Sequence, residues 1–218
     1  MTNQIEQPVK NIPERDMLFG DLPLSFWGAV PSNEIPWTLF RKVKELDEEG
    51  EDLSAIETLR EIIALPGLES RQYLQAFYFL RRLYAVAEND KKLYGVVVEV
   101  AMEEGTDLLA VYADHSARYY NYSGSAVVWE SSNTIIEQKI NNILSLGNGI
   151  VKRIGPWTGE RPGVPRPGFA RLNFLTAAGL HFGEAEQTAL FNDPMAGKIM
   201  YAMLDMMQTL TSMVEQKK

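Results

Sequence analysis

Apolar and polar positions change their period twice along this chain. From Tyr94 to Trp129 (YGVVVEVAMEEGTDLLAVYADHSARYYNYSGSAVVWE) apolar residues recur at every second position, and turn residues interrupt them at short intervals. A period of two is the pattern of strands, whose side chains alternate between faces. Tyr94, Val96, Val98 and Val100 are expected on one face of a first strand, with Gly95, Val97 and Glu99 on the other. Glu103-Glu104-Gly105 turns the chain. Leu108–Ala113 is apolar at every position, which predicts a central strand covered on both faces. Asp114-His115 forms the next turn, Ala117–Tyr122 a third strand ending at Ser123-Gly124, and Ser125–Trp129 a short fourth.

Ahead of this meander the period is 3.6. One helix is predicted from about Pro36 to Glu49, carrying Trp37, Phe40, Val43 and Leu46 on one face and ending at Gly50. A second begins behind a Ser54–Glu57 capping box and stops at Pro66-Gly67. A third spans about Glu69 to Val86. After the meander, a Thr134–Glu137 capping box opens a helix with Ile136, Ile140, Ile143 and Leu144 on one side, and Gly147 and Gly149 loosen its end. Two strands follow near 169–176 and 180–184, then a last helix with Asp193 as cap and Pro194 in its first turn. Runs of helices and runs of hairpin-linked strands predict an α+β fold. Its core is an antiparallel meander sheet of about five to six strands with two helices packed on it, preceded by a three-helix region. The division expected is a flexible arm over 1–20, an aromatic extended segment plus helices over 21–90, and a sheet-and-helix domain over 91–218, the whole forming one unit or two. From the meander onward the order of elements resembles compact sheet-and-helix modules such as the roadblock and profilin-like folds. The likeness is in element order alone and carries over no residue and no function.

Composition narrows the function classes. The 218 residues are 45% hydrophobic and carry a net charge of -8 with a pI near 4.9. Such an acidic surface repels phosphate backbones and anionic lipids, so neither nucleic acid nor a membrane is an expected partner. The chain has no cysteine, which removes thiolate catalysis, disulfides and cysteine-based metal sites. The first sixteen residues are polar and mixed in charge, without the apolar core of a signal peptide. A cytoplasmic protein is the expectation, with no cofactor.

Little in the sequence points to chemistry. Asp114-His115-Ser116 are consecutive, so alternation aims them apart, and a turn explains them better than a catalytic triad. His181, in an apolar strand, is the candidate for a general acid or base. The acids of 45–52 do not form a calcium loop, because Ile56 stands where the closing glutamate is required. No metal site is expected. The loop 155–168 (GPWTGERPGVPRPG) reverses the local charge: Arg153, Arg161, Arg166 and Arg171 cluster in or beside it with Trp157, as candidates for an anion clamp. Partner-binding candidates are Trp27, in the proline-rich segment DLPLSFWGAVPSNEIPW, and Met203, Met206 and Met207 on the last helix. The leading expectation is a non-enzymatic protein-interaction or regulatory module, through a protein partner or a second copy of the chain. The alternative is a small-molecule or anion binder, or an enzyme, with its site at 155–168.

Overall fold

A computed structural model describes residues 14–27, 29–86 and 90–215. Among them are helices α1 (Leu24–Trp27), α2 (Trp37–Glu49), α3 (Asp52–Ala64), α4 (Ser70–Arg82), α5 (Thr134–Val151), α6 (Gln187–Asn192) and α7 (Ala196–Glu215). The strands are β1 (Leu93–Met102), β2 (Gly105–Tyr112), β3 (Ala117–Tyr120), β4 (Ala126–Trp129), β5 (Phe169–Thr176) and β6 (Gly179–Glu186). They form one antiparallel sheet in the order β4-β3-β2-β1-β5-β6. β2, which carries the apolar run Leu108–Tyr112, lies in the middle beside β1, as that run predicts, because both its faces are covered there.

The alternation along β1, β2 and β5 supplies two cores. Val96, Val98, Leu109, Val111, Leu172 and Phe174 meet Ile136, Ile140 and Ile143 of α5 and Met203 and Met206 of α7. On the other face Val97, Leu108, Ala110, Tyr112 and Leu175 meet Leu74, Phe77 and Leu80 of α4, with Leu59 and Ile62 of α3 behind them. Helices therefore cover the sheet on both sides, and the chain makes three layers.

Several local expectations shift. The helix α3 starts at Asp52, so Ser54 lies inside its first turn rather than at its cap. Asn133, not Thr134, caps α5: its Oδ1 accepts from the amides of Ile135 and Ile136 at 3.0 and 3.2 Å. Gly147 does not loosen α5, which continues to Val151. An added Cβ there would stand 2.9 Å from Leu93 Cδ2, so the glycine lets the helix lie close on the sheet. The short helix α6 was not expected. Asp193 caps α7 as read, accepting from Met195 and Ala196 amides at 2.8 and 2.7 Å.

Of the 1–20 segment, residues 1–13 lie outside the described residues. Asp16–Leu18 form a 3-10 turn with Leu18 and Phe19 buried. Gln75 holds the chain just beyond by pairing both its amide groups with Leu22, accepting from the amide at 3.0 Å and donating to the carbonyl at 2.7 Å. Gly20, at φ +64°, passes so close to α4 that a Cβ would lie 2.6 Å from that of Leu74. Trp27 is buried against Trp37, with ring centroids 5.1 Å apart, and Phe40.

Candidate functional site

The loop 155–168 lies across β5 and β6 on the α4 side, and the structure divides its arginines. Arg171 and Glu99 are both buried on neighbouring strands. Glu99 accepts from Arg15 Nε at 2.7 Å, Asn173 Nδ2 at 2.9 Å and Arg171 Nη1 at 3.4 Å. Arg171 also pairs with Glu184 and donates to Gly163 O at 2.7 Å. Arg15 donates to Pro162 O at 2.8 Å. A buried carboxylate with two guanidiniums and an amide thus ties β1, β5, β6, the loop and the residues before α1 together. Arg161 is taken by Asp21 and Asp16, at 2.7 and 2.8 Å, and lies over the Phe19 ring. Arg166 stacks on Phe169 at 3.8 Å. Arg153 is on the other side of the sheet, near Ile154 and Asp193. The five cationic and aromatic candidates do not converge on one site. Glu99 was the signal in the sequence: a lone carboxylate inside an apolar strand calls for buried partners.

The groups suggestive of catalysis have structural occupations. Asp114 Oδ1 accepts from the Ser116 amide and hydroxyl at 2.9 and 2.7 Å, and Oδ2 accepts from the Ser70 amide at α4. His115 adopts φ +64° in that turn. His181 is fully buried beside Phe174 in register. Its Nδ1 lies 3.4 Å from Gly179 O, and Nε2 has no partner among the described residues. Burial pushes its pKa down, and the nearby Lys91 adds to that against the Gly179 carbonyl. The imidazole is therefore held neutral and away from solvent. Among the described residues no cluster of three or more metal-ligating side chains occurs, and no helix is long and apolar enough to cross a membrane.

A different opening lies between α7 and the sheet, a cavity of about 290 Å³. Val98, Val100 and Leu109 form its floor, Met200, Met203 and Met207 its wall, and Phe191 and Leu204 its margin. Two of the methionine candidates, Met203 and Met207, line it; Met206 is buried in the core beside them. Ile199, Met203, Met206 and Leu210, spaced by four, three and four residues, form the fully covered stripe of α7, which is its face toward the sheet. Leu204 and Tyr201 are 40% and 59% exposed on the adjoining face.

The polar end of the cavity is Asp107 with Tyr119. Tyr119 donates to Asp107 Oδ2 at 2.8 Å, and Asp107 Oδ1 accepts from the Tyr122 amide at 2.8 Å. Burial raises the Tyr119 pKa, and the adjacent Asp107 carboxylate favours the protonated phenol as well, although the hydrogen bond from Asn121 acts the other way. The phenol keeps its proton. An apolar chamber with one fixed anionic corner suits binding. The sequence showed these residues only as strand alternation and a methionine stripe. No known protein family matches this chain, and neither does any curated protein or solved structure.

Proposed function

We propose that the protein is a cytoplasmic, non-enzymatic interaction module that receives one bulky apolar side chain of a protein partner in the cavity under α7. The observation that carries this reading is the methionine-walled chamber of about 290 Å³ opening beside exposed Leu204. Methionine side chains are unbranched and polarisable, so such a wall adjusts to an incoming side chain at small cost. The rim supports a contact larger than the chamber itself: Leu204 and Tyr201 are exposed next to it, with Tyr201 braced edge-on against Phe191. Asp107 at the polar end and the net charge of -8 favour a partner whose apolar anchor is flanked by lysine or arginine.

A random peptide library panned on the purified protein tests this. Enrichment of sequences with a large apolar anchor beside basic residues is expected, and their binding should be lost in Met207→Glu and Leu204→Glu. Enrichment of no such motif, or a motif that binds both variants as well as the parent, would overturn the reading. Light scattering on the same samples separates a second copy of the chain from a foreign partner.

A further inference from the structure

A second opening has the opposite chemistry. It lies on the α4 side, between that helix, the start of the 155–168 loop and the β5–β6 hairpin, and encloses about 680 Å³. Tyr78, Arg81 and Arg82 of α4 line one wall, and Trp157 and Arg161 of the loop line the other. Trp157 is anchored by its backbone amide to Leu180 O at 2.6 Å and by Nε1 to Glu160 O at 2.9 Å, while half of its surface stays open. The indole is held at a fixed angle by an edge-on contact with Phe182.

The cations of this cleft are not all paired among the described residues. Arg161 and Asp21 neutralise each other through two hydrogen bonds of 2.7 and 3.2 Å. Arg81 and Arg82 make no ion pair among the described residues. Arg81 donates one hydrogen bond, from Nη1 to Ala177 O at 2.7 Å, and its guanidinium lies 6.0 Å from the Tyr78 ring centre. A guanidinium carries five N–H donors, so among the described residues most of this one's capacity is unused. Burial draws the Arg81 pKa down to about 10 although Asp21 opposes it. A desolvated cation with so few partners is raised in energy until an anion joins it. Arg161 engages both Asp16 and Asp21, and Glu160 at the margin pairs with no cation among the described residues, so Arg81 and Arg82 are the cleft's cations left without an ion pair there, in a chain whose net charge is -8.

We propose that this cleft binds a small organic anion, a carboxylate or phosphomonoester borne on a flat ring, with the anion at Arg81 and Arg82 and the ring against Trp157. The cations come from α4, whereas Arg161 serves to hold the loop that presents the indole. Planar guanidinium forks suit both oxyanions, and the indole face adds preference for a ring. The site is independent of the cavity under α7, which lies across the sheet.

Calorimetric titration of the full chain with phenyl phosphate, benzoate, inorganic phosphate and benzyl alcohol tests the proposal. Either ring-bearing anion should bind more tightly than inorganic phosphate, and benzyl alcohol should not compete. Which of the two binds more tightly names the oxyanion. Arg82→Gln should weaken binding roughly tenfold or more, the usual effect of losing a charged hydrogen bond. Trp157→Leu should abolish the advantage of the ring over inorganic phosphate. Arg81→Gln should act like Arg82→Gln, and should it fail to fold, the other two variants decide alone. Absence of binding by every anion, equal binding of benzyl alcohol, or binding unchanged in Arg82→Gln and Trp157→Leu overturns the proposal.

Discussion

Val98 and Glu99 are neighbours on β1, and their side chains enter two different environments. Glu99 points toward the N-terminal helices and is fixed by Arg15, Asn173 and Arg171. Val98 points toward α7 and forms part of the floor of a methionine-walled cavity. On the first face, directional charged bonds specify a single arrangement of the sheet, the loop and the segment before α1. On the second, contacts are apolar and non-directional, and part of the volume is empty. Directional, specific assembly and looser, deformable packing lie on opposite faces of the same strands.

The largest expected effect tests the first face. Glu99→Ala leaves Arg15 and Arg171 without their shared carboxylate, and breaking a buried ion pair costs about 3–5 kcal/mol. For a chain of this length that lowers the thermal midpoint by on the order of 10 °C, measurable by calorimetry. A loss under about 1 kcal/mol would reduce the network to the standing of a surface pair. On the second face, Met203→Ala should cost about 2–3 kcal/mol, near the low end for core truncations because one side of Met203 already faces empty space. Met203→Leu, which nearly conserves volume, should cost less than about 1.5 kcal/mol. Urea unfolding of the three variants ranks the faces, and a Met203→Ala loss larger than that of Glu99→Ala would break the contrast. Arg166→Ala removes a stacked cation from Phe169 at the end of the loop and should cost about 0.5–1 kcal/mol.

The smallest effect at neutral pH belongs to His181. Its folded pKa lies below the unfolded value of about 6.5, so the unfolded chain binds the proton more readily. The neutral imidazole's contribution is complete above that unfolded value and declines as pH falls below it toward the folded pKa. Thermal midpoints of wild type and His181→Gln should differ more at pH 5.5 than at pH 7.5 in their dependence on pH, with the variant flatter. Identical slopes would mean that the imidazole titrates as freely in the folded protein as in the unfolded chain.

Much of the fold was legible because it is local. Strand alternation from Val96 to Trp129, the all-apolar run at Leu108–Ala113, and the Asp114–Ser116 turn need only neighbouring residues to define them, whereas Tyr94, expected on the face of Val96, lies with Val97 on the α4 side because the register of β1 shifts between Leu93 and Gly95. The cap at Asn133 and the true start of α3 were missed because several adjacent residues have the chemistry to cap a helix, and tertiary docking chooses among them. The sites were less legible. Arg161 and Arg171 appeared in the sequence as loose cations of one loop, yet their carboxylates come from Asp16, Asp21, Glu99 and Glu184. The methionine spacing on α7 was plain, but a cavity at its edge depends on how far the helix stands from β1 and β2.

The sequence by itself determined the periods, hence the elements, their order, the centre of the sheet and the acidic character of the surface. Tertiary structure decided which charges became internal and which stayed free. Arg15 and Glu99 are 84 positions apart, and Arg161 and Asp16 are 145; such pairs form only after every intervening layer has been placed. Among the described residues Arg81 and Arg82 ended without an ion pair for the same reason: a periodic pattern specifies the face of a helix, while the partner across a cleft depends on the packing of the whole chain.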